Sequence, residues 1–258
     1  MKRFLFYSLL CLILTGCSSG TFHIPKQEYQ SKVQVLGVLP LLIDHNSTLT
    51  YPQREILFDV LTRSASGKHE QLVKLLKEEK GYFDVRMLSA SPELTALSLL
   101  GAGSSHDKSG LPQGYAFDAT TIVEIARKNV VDAILVVVFS AEQVKEKRYS
   151  RTKLEFLNRT YNEFFATAAV IDRDGVELWQ MAGKDSFRAL TLQYADFDEA
   201  YYNHTDVVKV KNVSIAGIEQ VLNESPDKNG QAVLPEMYVD LFDDISSGIS
   251  PNLLDSLR

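Results

Sequence analysis

"VDAILVVVFS", Val131 to Ser140, holds a single charge, Asp132, near its start. A half-buried strand alternates apolar and polar residues, and this run does not. A strand apolar on both sides belongs in the middle of a sheet covered on both faces. The pleat then puts Ile134, Val136 and Val138 on one face and Leu135 and Val137 on the other. Just upstream, Asp118 is placed to cap a helix running to Asn129, with Ile122, Ile125 and Ala126 turned inward.

Further upstream, "VQVLGVLPLLI" (Val33 to Ile43) reads as a strand, with Pro40 ending its regular ladder. Gln53 to Arg63 and Gly67 to Lys80 read as helices. The second groups Leu72, Val73, Leu75 and Leu76 and pairs Glu70 with Lys74 on its outer side. "YFDVRML" (Tyr82 to Leu88) is a strand and Pro92 to Leu100 a short helix. Downstream, "EFFATAAVIDRDGVELWQ" (Glu163 to Gln180) reads as a hairpin turning at Asp172-Arg173-Asp174-Gly175. Ser214 caps a helix carrying Ile215, Ile218 and Leu222. Pro235 opens a last helix with Met237, Tyr238, Leu241, Phe242 and Ile245 in one stripe. Helices between early strands imply parallel crossovers, and the later hairpin is antiparallel. The expected fold is α/β: a single mixed-sheet domain with early βαβ crossovers, the antiparallel hairpin Glu163–Gln180 and C-terminal helices.

The other informative stretch is "LTGCSSG", Leu14 to Gly20. Lys2 and Arg3 precede an uncharged run from Phe4. That run is shorter than the ~20 residues of a spanning helix and suits a signal-peptide core. Leu14-Thr15-Gly16-Cys17 resembles the lipobox of bacterial lipoproteins. That resemblance implies a signal peptide at 1–16, a diacylglycerol on the Cys17 thiol and a palmitate-type acyl chain on its freed amine. Ser18, in place of a retention aspartate, implies the outer membrane, with the domain on its periplasmic face. Cys11 and Cys17 are the two cysteines of the chain. The mature protein is then expected to hold no disulfide. Ser18 to Lys32 is polar and lacks apolar periodicity, so 17–32 reads as the lipidated residue and a tether reaching ~20 Å, with the domain at 33–258.

Chemistry-bearing motifs are sparse. A net charge of −6 over 258 residues argues against a nucleic-acid partner, which needs a basic surface. "GSSHDKS" (Gly103 to Ser109) misses a phosphate loop, because Asp107 stands where glycine must precede the lysine; Gly101 to Gly114 reads as a surface loop. Asp-x-Asp-Gly at Asp172 fails as a calcium loop, with Val170 and Met181 at ligand positions. His23, His45, His69, His106 and His204 are scattered. No metal ligand set, catalytic residue or cofactor is assigned. Lys145 to Lys153 is basic and reads as a strand or hairpin extended into solvent, its charge run a solvated face rather than a ligand site. "YADFDEAYYNHTD" (Tyr194 to Asp206) reads either as a loop covering the sheet or as a contact patch. In the second reading Tyr194, Phe197, Tyr201 and Tyr202 would touch a partner.

The order of three motifs resembles the periplasmic domain shared by the curli-secretion lipoprotein CsgG, the peptidoglycan-synthase activator LpoB and the N-terminal domain of TolB. They are "VLGVLPL" (Val35 to Leu41), "VVDAILVVVF" (Val130 to Phe139) and "VIDRDGVELW" (Val170 to Trp179). The resemblance implies an envelope assembly or regulatory protein that works by contact, with an envelope protein or its own copies as partner, and is not an enzyme. The chain lacks the apolar-out, polar-in segment pair of a membrane barrel. The alternative is an envelope hydrolase whose site is gathered from distant residues.

Overall fold

A computed structural model describes residues 19–79, 81–226 and 232–249. Cys17 and the 1–16 segment lie outside the described residues. In chain order the elements are β1 (Thr21–Phe22), α1 (Lys26–Lys32), β2 (Val35–Val38), β3 (Leu42–Asp44), α2 (Arg54–Ala65), α3 (His69–Glu78), β4 (Asp84–Met87), α4 (Pro92–Leu99), β5 (Ser104–His106), β6 (Pro112–Tyr115), α5 (Ala119–Asn129) and β7 (Ala133–Tyr149). There follow β8 (Phe156–Asp172), β9 (Glu177–Met181), β10 (Phe187–Thr191), β11 (Gln193–Asp196), α6 (Phe197–Tyr202), β12 (Lys209–Asn212), α7 (Ile215–Leu222) and α8 (Glu236–Ile249).

The main sheet runs β1-β9-β8-β7-β2-β4, with β10 also on β8 and β3 also on β7. β2 is parallel to both β4 and β7, which are the expected crossovers. β7, β8 and β9 are antiparallel. The fold is therefore the mixed α/β sheet with C-terminal helices that the sequence implies. β7 lies inside the sheet, and its two faces feed two cores. Ala133, Leu135, Val137 and Phe139 pack with α2, α3, α7 and α8. Ile134, Val136 and Val138 pack with α4 and α5. Asp118 caps α5 by accepting the Thr121 amide, and Ser214 caps α7 through Gly217.

Two expectations need correction. The stretch 21–32, read as tether, is part of the fold. Thr21 and Phe22 pair with Gln180 and Trp179. Tyr29 is buried and shares a 2.7 Å hydrogen bond with the Tyr82 hydroxyl. Lys32 Nζ lies 2.6 Å from the buried Asp172 carboxylate. This hold comes from a few separate contacts, which leave no periodic signature. Second, Gly101 to Gly114 is not a plain loop, because β5 and β6 pair within it.

The Asp172 turn is structural. Its Oδ1 accepts the amides of Asp174 and Val176, and Gly175 takes φ 84°. Burial opposes ionisation of Asp172, but Lys32 and the two amides outweigh it and hold the carboxyl below its ordinary range.

Candidate functional site

Open α/β sheets bind ligands beyond the carboxyl ends of their parallel strands. Here β3 ends at Asp44, and β7 carries Ser140 and Glu142 past it; Asp44 pairs with Ser140 in register. All three are buried. Tyr115 on β6 donates its hydroxyl to Asp44 Oδ2 at 2.8 Å, and the Asn46 amide donates to Oδ1 at 2.9 Å. The Ser140 hydroxyl donates to Glu142 Oε1. From β5, His106 places Nε2 2.6 Å from Glu142 Oε2. Above this network opens a cleft of about 550 Å³, with Thr48, Gly103, His106 and Gln143 among its walls.

The network is poor in positive charge. Neither Asp44 nor Glu142 meets a lysine or arginine among the described residues. Burial pushes the Glu142 carboxyl up; the Ser140 hydroxyl and His106 oppose this, and Asp44 adds to it. Burial, then the Asp44 charge, pushes the Tyr115 hydroxyl well up. His106 thus lines the cleft with its ring held against the buried Glu142 carboxyl. It is not placed as a nucleophile relay. Ser104 Oγ approaches the same Nε2, at 3.4 Å, whereas a relay needs serine and acid on opposite ring nitrogens. Among the described residues no group of three His, Cys, Asp or Glu side chains could hold a metal ion.

Sequence reading missed this cleft. The available signal was Ser140 and Glu142 continuing a strand buried on both faces, since a carboxylate there must find partners in the interior.

A second charged network braces the long hairpin. Glu163 is buried and is clasped by Arg148 and by Arg188, the latter at 2.7 Å. Glu146 bridges the same two arginines. Arg148 also lies 3.8 Å above the Tyr161 ring. Arg148 is therefore not part of a solvated charge run. Burial raises the Glu163 carboxyl to about 7, although both guanidinium groups pull it down and Glu146 reinforces the rise.

The expected contact residues lie on a small annex formed by β11, α6 and β12. Tyr201 and Tyr202 are 77% and 78% exposed, with ring centroids 5.6 Å apart. Neither of these two rings is buried against the sheet, whereas Ala200 of the same helix is buried. Tyr194 is exposed and Phe197 half-buried. Two of the four acidic side chains of the stretch, Asp196 and Glu199, are paired within the annex. Lys211 lies 2.8 Å from Asp196, and Lys209 lies 2.7 Å from Glu199.

No family model matches the chain, and no curated protein matches it. Among solved structures it is similar to the PelC dodecamer from Paraburkholderia phytofirmans, at 12% identity and TM-score 0.26, over 66% of this chain and 76% of that one. It is also similar to a neuraminyllactose-binding hemagglutinin homolog from Helicobacter pylori, at 9% identity and TM-score 0.41, over 87% of this chain and 89% of that one. Likeness at this level transfers no role to the present chain.

Proposed function

We propose that the chain is a lipid-anchored envelope protein of the CsgG, LpoB and TolB type. It would be held by Cys17 on the periplasmic face of the outer membrane and act by contact in the assembly or regulation of an envelope or secretion complex. The partner is another envelope protein or a second copy. The observation carrying this reading is the outward presentation of Tyr201 and Tyr202. Exposed aromatic pairs give large contact area for little lost entropy, and anchors of this type often carry ~2 kcal/mol or more. The leader ending at Cys17 supports the address.

The test replaces Tyr201 and Tyr202 together with alanine in the full chain. Melting temperature should hold while crosslinked envelope partners disappear; retained partners would overturn the reading. Mass spectrometry of the N-terminus checks the anchor, and an unmodified Cys17 thiol in mature protein would refute it.

The cleft favours a second reading, an envelope hydrolase using His106 and Glu142. It requires turnover of an ester, peptide or glycan by the purified chain, lost in Glu142→Gln.

A further inference from the structure

From Glu146 and Thr160 outward, the β7–β8 ribbon has no third strand beside it among the described residues. A lone two-stranded ribbon is marginal in water, and this one bears unusual cargo. Tyr149 and Phe156 form its last rung, with ring centroids 6.0 Å apart, and both are exposed. Leu154, in the tip loop, is 86% exposed. Lys147 Nζ lies 4.4 Å over the Phe156 ring. The pleat puts Lys145, Lys147 and Tyr149 on one face, with Phe156 across from Tyr149.

Charge is concentrated here as well. Lys145 to Arg159 holds six basic and two acidic side chains, in a chain of net charge −6. Arg148 is tied inward by Glu146 and Glu163. Lys145, Lys147, Arg151, Lys153 and Arg159 make no ion pair among the described residues. The basic groups therefore face outward, while the rest of the chain is acidic.

We propose that this tip seats in the headgroup layer of an anionic lipid bilayer. Leu154 in the tip loop and the Tyr149–Phe156 rung at its base bring three large apolar side chains to this end, with Arg151 and Lys153 beside Leu154 in the loop, and Lys145 and Lys147 behind. This ordering follows the depth profile of a bilayer surface. Aromatic rings settle at the headgroup level, lysine and arginine reach back to phosphate, and basic residues are drawn to anionic lipid. An acidic protein surface would match the charge but gives no reason for three exposed apolar groups to gather among the cationic ones. The exposed tip is too short to cross the hydrocarbon, which takes ~9–11 residues per strand, so the contact is interfacial. The inference does not depend on the protein-contact reading above.

The test uses Leu154→Trp in the full chain, reconstituted into vesicles; its native tryptophan, Trp179, is buried. With phosphatidylglycerol–phosphatidylethanolamine vesicles, emission from residue 154 should shift to the blue and be quenched by brominated lipid. With phosphatidylcholine vesicles it should do neither. Adding Lys147→Glu, Arg151→Glu and Lys153→Glu should lower insertion of the tip at least ~100-fold, with circular dichroism unchanged. Emission in anionic vesicles equal to that in buffer overturns the proposal, as does an equal shift in neutral vesicles. A shift that grows with protein concentration without lipid also overturns it and assigns the tip to a second copy.

Discussion

Gly248 of α8 lies against the buried indole of Trp179 so closely that a Cβ there would stand 2.7 Å from Cζ2, and closer still to the Ser19 carbonyl oxygen. Gly20 does the same from the N-terminal side, at 2.6 Å, with φ 89°. The two glycines let the N-terminal segment, the last helix and β9 close around one ring.

Helix propensity alone says that Gly248→Ala should stabilise by roughly 1 kcal/mol. Packing says the opposite, because the colliding atoms are backbone and a rigid ring. Packing should win, with a net loss of about 1–3 kcal/mol. Gly20→Ala should cost at least as much, since its φ also disfavours a side chain. Urea midpoints decide this; a stabilised Gly248→Ala would mean that the N-terminal segment is not docked as described.

Val136→Asp should prevent folding, because a carboxylate in the α4–α5 core has no partner and costs several kcal/mol. Arg173→Ala, at the exposed hairpin turn, should change stability by no more than about 0.5 kcal/mol. Denaturant melts showing the reverse ranking would overturn the two-faced burial of β7.

Glu163 predicts a pH dependence. Its folded pKa, about 7, lies above its ordinary value of 4.5. The native state therefore holds a proton that the unfolded chain has released. The group's contribution is fully present below pH 4.5 and is lost as pH rises through 7. Glu142 is shifted in the same direction, and Glu146 and Asp172 in the other. Glu163→Gln should remove roughly 2 kcal/mol of stability change between pH 5 and pH 8. Parallel pH profiles for parent and variant would remove Glu163 from the account.

The elements legible in the sequence were those whose signals are local. The run after Asp132 is apolar at every step, so both faces of β7 had to be covered. Asp118 and Ser214 stand directly before apolar stripes and do cap them. Asp172 to Gly175 carries its own turn chemistry. The N-terminal segment was misread because Phe22, Tyr29 and Lys32 each find a different, distant partner. Beyond Ser140 and Glu142, the cleft was hidden because Asp44, His106, Tyr115 and Glu142 come from four strands, and only the sheet register brings them together. The outward continuation of β7 past Lys145 was legible as a basic strand or hairpin reaching into solvent, whereas the matching outer half of β8, Phe156 to Asn162, was not, because its residues show no apolar–polar alternation.

The hydroxyl of Tyr115 is the one side-chain donor to the Asp44 carboxylate among the described residues. Tyr115→Phe leaves Oδ2 buried without that bond, which should cost about 1–3 kcal/mol. Asp44→Asn on its own keeps an acceptor for the Asn46 amide but gives the tyrosine a neutral partner, which weakens the bond. Combining the two changes removes hydroxyl and charge together, so the desolvated carboxylate no longer exists to be left unpaired. The double variant should then be less destabilised than the sum of the single ones, with a coupling energy of about 1 kcal/mol or more. Urea melts of the four proteins measure it directly. Strict additivity would mean that Tyr115 and Asp44 do not act as a pair, and the cleft would lose the strut that holds β6 to the end of β3.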